Sequence, residues 1–223
     1  MNQEQALSLL KETKLVAILR GIPVKQATDI ATALYDGGVR VLEFTFDHDD
    51  PDCVAHNCQR IRAVKKIFGD EMVVGCGTAL TVQEVEASVE AGGQIVISPN
   101  VDVSVIAKTK ALGAISMPGA LTPTEIVMAY NAGADIVKLF PAGTLGVPYI
   151  KAVRGPLGYI PMSAVGGVRP ETIADFLNAG VCGFGVGGEL VKKEFVRSGD
   201  MNALTSRARE FVHAIEQWEA NRS

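Results

Sequence analysis

One short pattern returns four times in this chain and limits what it can fold into. DGGVRVLEF (from Asp36), AGGQIVIS (from Ala91), AGADIVKLF (from Ala132) and AGVCGFGVG (from Ala179) each join a small residue and glycine to an apolar run. Glycine is the usual residue just past a helix end. A short apolar run bounded by turn residues reads as a strand. Each string therefore closes a helix and opens a strand, over Val39–Phe46, Gln94–Ser98, Ile136–Phe140 and Cys182–Val186. Four further runs alternate with them: Leu15–Leu19, Met72–Val74, Ala114–Met117 and Ile160–Val165. Most of the eight runs are continuously apolar, as strands buried on both faces of a parallel sheet must be. The intervening segments carry helix starts. Thr81-Val-Gln-Glu84 and Thr122-Pro-Thr-Glu125 are capping boxes, the second with proline where no amide hydrogen is needed.

Four copies of a β-α-β-α unit in 223 residues predict one closed (β/α)8 TIM barrel with short loops, in a single α/β domain spanning residues 1–223. Helices at about 2–13 and 201–218 are expected outside the barrel. An open doubly wound sheet is the alternative, and the absence of G-x-G-x-x-G after the first strand counts against it. A net charge of −4 with no basic run argues against a nucleic-acid or membrane-surface partner. No stretch approaches ~20 uninterrupted apolar residues. The start MNQEQALSLLKETK lacks the basic and apolar pattern of a signal peptide. Cys53, Cys58, Cys76 and Cys182 show neither metal-ligand nor disulfide-framework spacing. The expectation is a cytoplasmic protein with reduced thiols.

In such a barrel chemistry gathers where the strands end. Lys138 sits in Asp135-Ile-Val-Lys-Leu-Phe140, among residues that should be buried. Desolvation disfavours its charge and yields an amine able to attack a carbonyl. The same position also suits a lysine that snorkels to the mouth or pairs with a carboxylate. Glu43 on the second strand is either a desolvated proton carrier or the structural partner of Lys138 or Arg20. Arg20 ends the first strand, where a guanidinium can hold a carboxylate bidentately. Thr78 follows the turn Gly75-Cys-Gly, and Ser98-Pro99 and Pro118-Gly119 read as strand-to-loop turns. Glycine turns follow strand seven (Gly166, Gly167) and strand eight (Gly187, Gly188), where barrels hold phosphate on backbone amides. His48 with Asp47, Asp49, Asp50 and Asp52 reads as a solvated acidic loop or, alternatively, a divalent-ion site. Met201–Trp218 reads as an amphipathic outer helix, with Trp218 either a packed terminus or an interface anchor.

The ordered segments VAILRG, GGVRVLEFTF, VGCGTALT, QIVISPNVD, MPGALTPTEI, VKLFPAG and AVGGV resemble the KDPG/KHG aldolases from about Lys14 to Leu190. That resemblance implies a trimeric, metal-free class I aldolase on a (β/α)8 barrel. It implies Lys138 as the Schiff-base lysine, Glu43 as general acid/base, Thr78 on the pyruvyl carboxylate, and Pro99 and Phe140 lining the site. Gly166, Gly167, Gly187 and Gly188 match its phosphate turns. The reaction implied is reversible cleavage of a 2-keto-3-deoxy acid to pyruvate and an aldehyde. The leading substrate is 2-keto-3-deoxy-6-phosphogluconate or its galactonate epimer, giving glyceraldehyde 3-phosphate. The alternatives are a non-phosphorylated acid such as 4-hydroxy-2-oxoglutarate or 2-keto-3-deoxygluconate, and a barrel that binds keto acid or phosphate without turnover. Two positions depart from the pattern. Asp47 stands where some members have a carboxylate-binding arginine, a role Arg20 can take over. Gly188-Glu189 replaces a serine at the last phosphate turn, and the acidic loop favours a polyhydroxyl distal group.

Overall fold

The computed structural model describes residues 1–222. Its strands are β1 (Leu15–Leu19), β2 (Val41–Thr45), β3 (Val73–Gly77), β4 (Ile95–Ile97), β5 (Ile115–Met117), β6 (Gly119–Ala120), β7 (Val137–Leu139), β8 (Met162–Val165) and β9 (Gly183–Val186). They pair in parallel in the order β5-β4-β3-β2-β1-β9-β8-β7-β6. Helices alternate with them: α1 (Gln3–Thr13), α2 (Ala27–Asp36), α3 (Cys53–Phe68), α4 (Val82–Glu90), α5 (Val103–Ala111), α6 (Pro123–Asn131), α7 (Ala142–Leu157), α8 (Ile173–Asn178), α9 (Lys193–Ser198) and α10 (Met201–Ala220).

The ninth strand is a correction to the eight expected, and its cause is Pro118. Proline has no N–H for the ladder, so the expected run Ala114–Met117 ends as β5 and strand pairing resumes beyond Pro118 as β6. Pro118-Gly119 is thus a bend inside a strand and not a strand-to-loop turn. The two halves still join the ring. Asp135 N and Ile136 N donate to Ser116 O at 3.0 and 3.4 Å, and Lys138 N donates to Pro118 O at 2.9 Å. A second correction concerns β3, which runs through Gly75 and Gly77 where a turn was expected. Glu43, Phe44 and Thr45 of β2 lie in register with Gly75, Cys76 and Gly77. Glycine inside a strand often marks a place where another group approaches the backbone closely.

The repeated string has one conformational meaning. Gly38, Gly92, Gly133 and Gly180 take φ of 94°, 99°, 101° and 96°, a left-handed step that turns each even-numbered helix back toward the sheet. Both capping boxes form, at Thr81 with Glu84 and at Thr122 with Glu125.

Alternation along each strand then separates two cores. Leu42 and Phe44 face outward into the layer shared with the helices. Val16, Val41, Val73, Ile95, Ile115, Ile136 and Val165 fill the barrel interior. Ala6 and Leu10 of α1 join that inner cluster and close the floor. Glu43 lies two residues beyond Val41, and Lys138 two beyond Ile136, so both face the interior. On α10, Trp218 donates Nε1–H to Asn178 Oδ1 at 2.9 Å and packs against the outer layer. No helix among the described residues is long and apolar enough to cross a membrane.

Candidate active site

A cavity of about 270 Å³ opens where the strands end. Its walls include Arg20, Glu43, Thr78, Pro99, Lys138, Phe140, Gly166, Gly167, Gly187 and Gly188, the ten residues expected from sequence to act on or bind a substrate, whereas Ser98, Pro118 and Gly119 lie outside it. Ile18, Val165, Val168, Gly185, Val186, Glu189, Val191 and Lys193 complete it.

Glu43 and Lys138 are 2% and 8% exposed, a rare degree of burial for ionisable groups. Glu43 Oε2 has no hydrogen-bond partner. Burial pushes its carboxyl up to about 7, with the Lys138 and Arg20 charges opposing that rise in part. Burial pulls the Lys138 amine down; the Glu43 charge resists and the Arg20 charge assists. Among the described residues no ion pair within 4 Å joins these groups to one another. The simple salt bridge open to Glu43 in the sequence is therefore not made. Lys138 Nζ lies 5.1 Å from the centre of the Phe140 ring, within cation–π range when charged.

Space for the carboxylate comes from β3. A Cβ at Gly77 would fall 1.2 Å from Glu43 Oε2, so any other residue there would displace the acid. One residue on, Thr78 holds φ of 56°, an unusual conformation for a β-branched residue. Strain of this kind, ~1–3 kcal/mol, is concentrated at functional sites. The glycine turns contribute donors. Among the described residues no group in the chain accepts from the amides of Gly167, Val168, Gly188 or Glu189.

The acidic loop stays outside the cavity wall. His48 Nε2 bonds Glu84 Oε1 at 2.7 Å, and His56 Nδ1 bonds Asp50 Oδ2 at 2.7 Å. These bonds tie the loop to α4 and to the start of α3, and the loop does not shape the cavity. Sequence reasoning missed Lys193 and the spacer role of Gly77. The first was signalled by the Lys192-Lys193 pair soon after a glycine turn, and the second by two glycines on the strand facing Glu43.

The family model for KDPG and KHG aldolase matches residues 7–207. The chain belongs to the KDPG and KHG aldolase family. Two relatives of this family come from Rhizobium meliloti (strain 1021) and Escherichia coli (strain K12). The first, named "Probable 2-dehydro-3-deoxy-6-phosphogalactonate aldolase", is 37% identical over 182 residues, 81% of this chain and 83% of its own. The second, a 2-dehydro-3-deoxy-6-phosphogalactonate aldolase, is 35% identical over 179 residues, 80% of this chain and 84% of its own. A solved structure designated "Native KDPGal structure" superposes with a TM-score of 0.83 at 33% identity, covering 92% of this chain and 96% of that one. In this aldolase-family barrel the family segments VAILRG, LEFTF, VKLFPAG and AVGGV all lead to the one cavity, since each ends a strand beside it.

Proposed function

We propose that this family member is a class I aldolase that cleaves a 2-keto-3-deoxy sugar acid to pyruvate and an aldehyde. The substrate favoured is 2-keto-3-deoxy-6-phosphogluconate or its galactonate epimer, and the aldehyde is glyceraldehyde 3-phosphate. The observation that carries this reading is the pair Lys138 and Glu43, buried in one cavity without a salt bridge, each shifted by burial toward its neutral form.

The neutral Lys138 amine adds to the C2 carbonyl, forming a carbon–nitrogen bond. Glu43, near neutrality, gives the proton with which the carbinolamine hydroxyl leaves as water. The resulting protonated imine is an electron sink. Loss of the C4 hydroxyl proton to Glu43 breaks the C3–C4 bond, and the electron pair enters the imine to give an enamine. The aldehyde departs, the enamine takes a proton at C3, and water hydrolyses the imine to free pyruvate and Lys138. No step requires a metal. Arg20 and Thr78 hold the carboxylate, Pro99 and Phe140 wall the pyruvyl part, and Gly166, Gly167, Gly187 and Gly188 face the distal phosphate. The whole chain acts as one (β/α)8 domain, as a cytoplasmic homotrimer on a small keto acid. The cytoplasmic assignment is supported by four free cysteines.

The decisive test is intact-mass analysis after incubation with pyruvate and sodium borohydride, wild type beside Lys138→Ala. A reduced pyruvyl adduct mapped to Lys138 is expected, with none in the variant and a turnover loss of at least ~10³-fold. A folded wild type that forms no adduct would overturn the assignment.

A further inference from the structure

The two glycine turns leave open which distal group the cavity prefers, because Glu189 places a carboxylate among their amides. Two charged residues outside the turns bear on that choice. Arg207 of α10 reaches the turn from outside the barrel. Its Nε donates to Glu189 O at 2.8 Å, and its Nη2 lies 3.9 Å from Glu189 Oε2. The Arg207 side chain is only 16% exposed and its guanidinium lies 4.9 Å from the centre of the Phe211 ring, so its position is fixed by packing. The same guanidinium also pairs through Nη1 with the exposed Glu210, so the charge of Glu189 is met from behind by an arginine that the two carboxylates share.

Lys193 is the second. It stands in the cavity wall, exposed, and among the described residues it has no carboxylate or carbonyl partner. Its neighbour Lys192 is engaged with Glu194 and with the Phe195 ring. Of the three cations in the wall, Arg20 and Lys138 are committed to the keto-acid end under the mechanism above. Lys193 is the one left.

The distal wall therefore offers donors in excess: the amides of Gly167, Val168, Gly188 and Glu189 with one ammonium, against a single carboxylate that Arg207, shared with Glu210, approaches from behind. A polyhydroxyl end needs acceptors as well as donors. A phosphate ester only accepts, and it carries the charge that a free ammonium complements. We propose that Lys193 reads the distal phosphate of the substrate, and that Arg207 positions and neutralises Glu189 so that the phosphate is admitted beside it. This inference rests on the Schiff-base reading for the identity of the keto-acid end.

The test compares kcat/KM for 2-keto-3-deoxy-6-phosphogluconate with that for 2-keto-3-deoxygluconate. In Lys193→Met the ratio is expected to fall about 10- to 100-fold, the worth of one charge-assisted contact. In Arg207→Leu the ratio falls as well, because the Glu189 charge is released. The double variant Glu189→Gln with Arg207→Leu restores it, which a merely structural loss at Arg207 would not do. An unchanged ratio in Lys193→Met, or no recovery in the double variant, overturns the proposal. Pyruvate has no distal group, so its borohydride adduct at Lys138 controls for folding and chemistry in every variant. If the wild type gives no adduct, the Schiff-base reading fails instead. Calorimetric titration with inorganic phosphate then still decides for or against Lys193, by whether Lys193→Met weakens its binding.

Discussion

The two halves of the cavity solve the problem of holding a charged substrate in opposite ways. At the strands, Glu43 and Lys138 are side chains sunk in the barrel interior at 2% and 8% exposure. At the turns beyond β8 and β9, the contacts on offer are backbone amides, with Gly188 and Lys193 exposed to solvent. Burial retunes proton affinities by raising the energy of charge, so proton transfer belongs in the interior. Recognition of a phosphate ester, the role proposed for the turns, needs no such retuning, because the ester is anionic on its own. It needs donors that approach closely, which glycine permits, and a cation within reach. Under the proposed mechanism, depth in this barrel sorts chemistry from recognition.

Three variants test that division. The largest effect is expected from Glu43→Gln, with kcat reduced ~10²- to 10⁴-fold as for loss of a general acid/base. The same variant reports the energetics of depth. Folded Glu43 titrates at about 7 against an ordinary value of 4.5, so the folded chain keeps a proton that the unfolded chain releases between those values. The contribution of this group to stability is thus full below pH 4.5 and is lost as pH rises through 7. Glu43→Gln should raise Tm above the wild type at pH 8, by ~1–3 kcal/mol of stability, and leave it unchanged at pH 4. Thermal melts at the two pH values check this, and an equal shift at both would mean that Glu43 carries no burial penalty.

Gly77→Ala comes next. Its methyl would overlap the Glu43 carboxylate, so turnover should fall by about 10²-fold and stability by ~1–3 kcal/mol from overpacking. Wild-type turnover in this variant would show that the interior can rearrange, and the contrast with the turns would lose its basis. The smallest effect belongs to Arg20→Ala, at the border of the two regions. It should raise KM for the keto acid about 10-fold, the loss of a charge-assisted carboxylate contact, with kcat much less affected. A fall in kcat with KM unchanged would move Arg20 from recognition to chemistry.

Much of the fold was legible because its signals are local. The four glycine-led strings announce helix ends, and α2, α4, α6 and α8 stop at or just before them; the left-handed steps at Gly38, Gly92, Gly133 and Gly180 are the backbone form those ends take. Capping boxes at Thr81 and Thr122 are equally local. The errors arose where a residue has two uses. Gly75 and Gly77 resemble a turn in one dimension, and only the carboxylate of the neighbouring strand explains them as strand. Pro118 likewise marks a break, and whether the strand resumes after it depends on β7 lying alongside.

Sequence alone was enough for the strand–helix alternation, the burial expected of Glu43 and Lys138, and the glycine turns after the last two strands. Those follow from periodicity and from backbone conformations that few residues adopt. Three-dimensional packing was needed to show that Glu43 and Lys138 face the barrel interior, that they share a cavity with Arg20 without pairing, that Gly77 yields its side-chain volume to a carboxylate, and that Arg207 stands behind Glu189. Those relations join residues far apart in the chain, and close approach across a barrel is set by packing, which no local pattern of residues encodes.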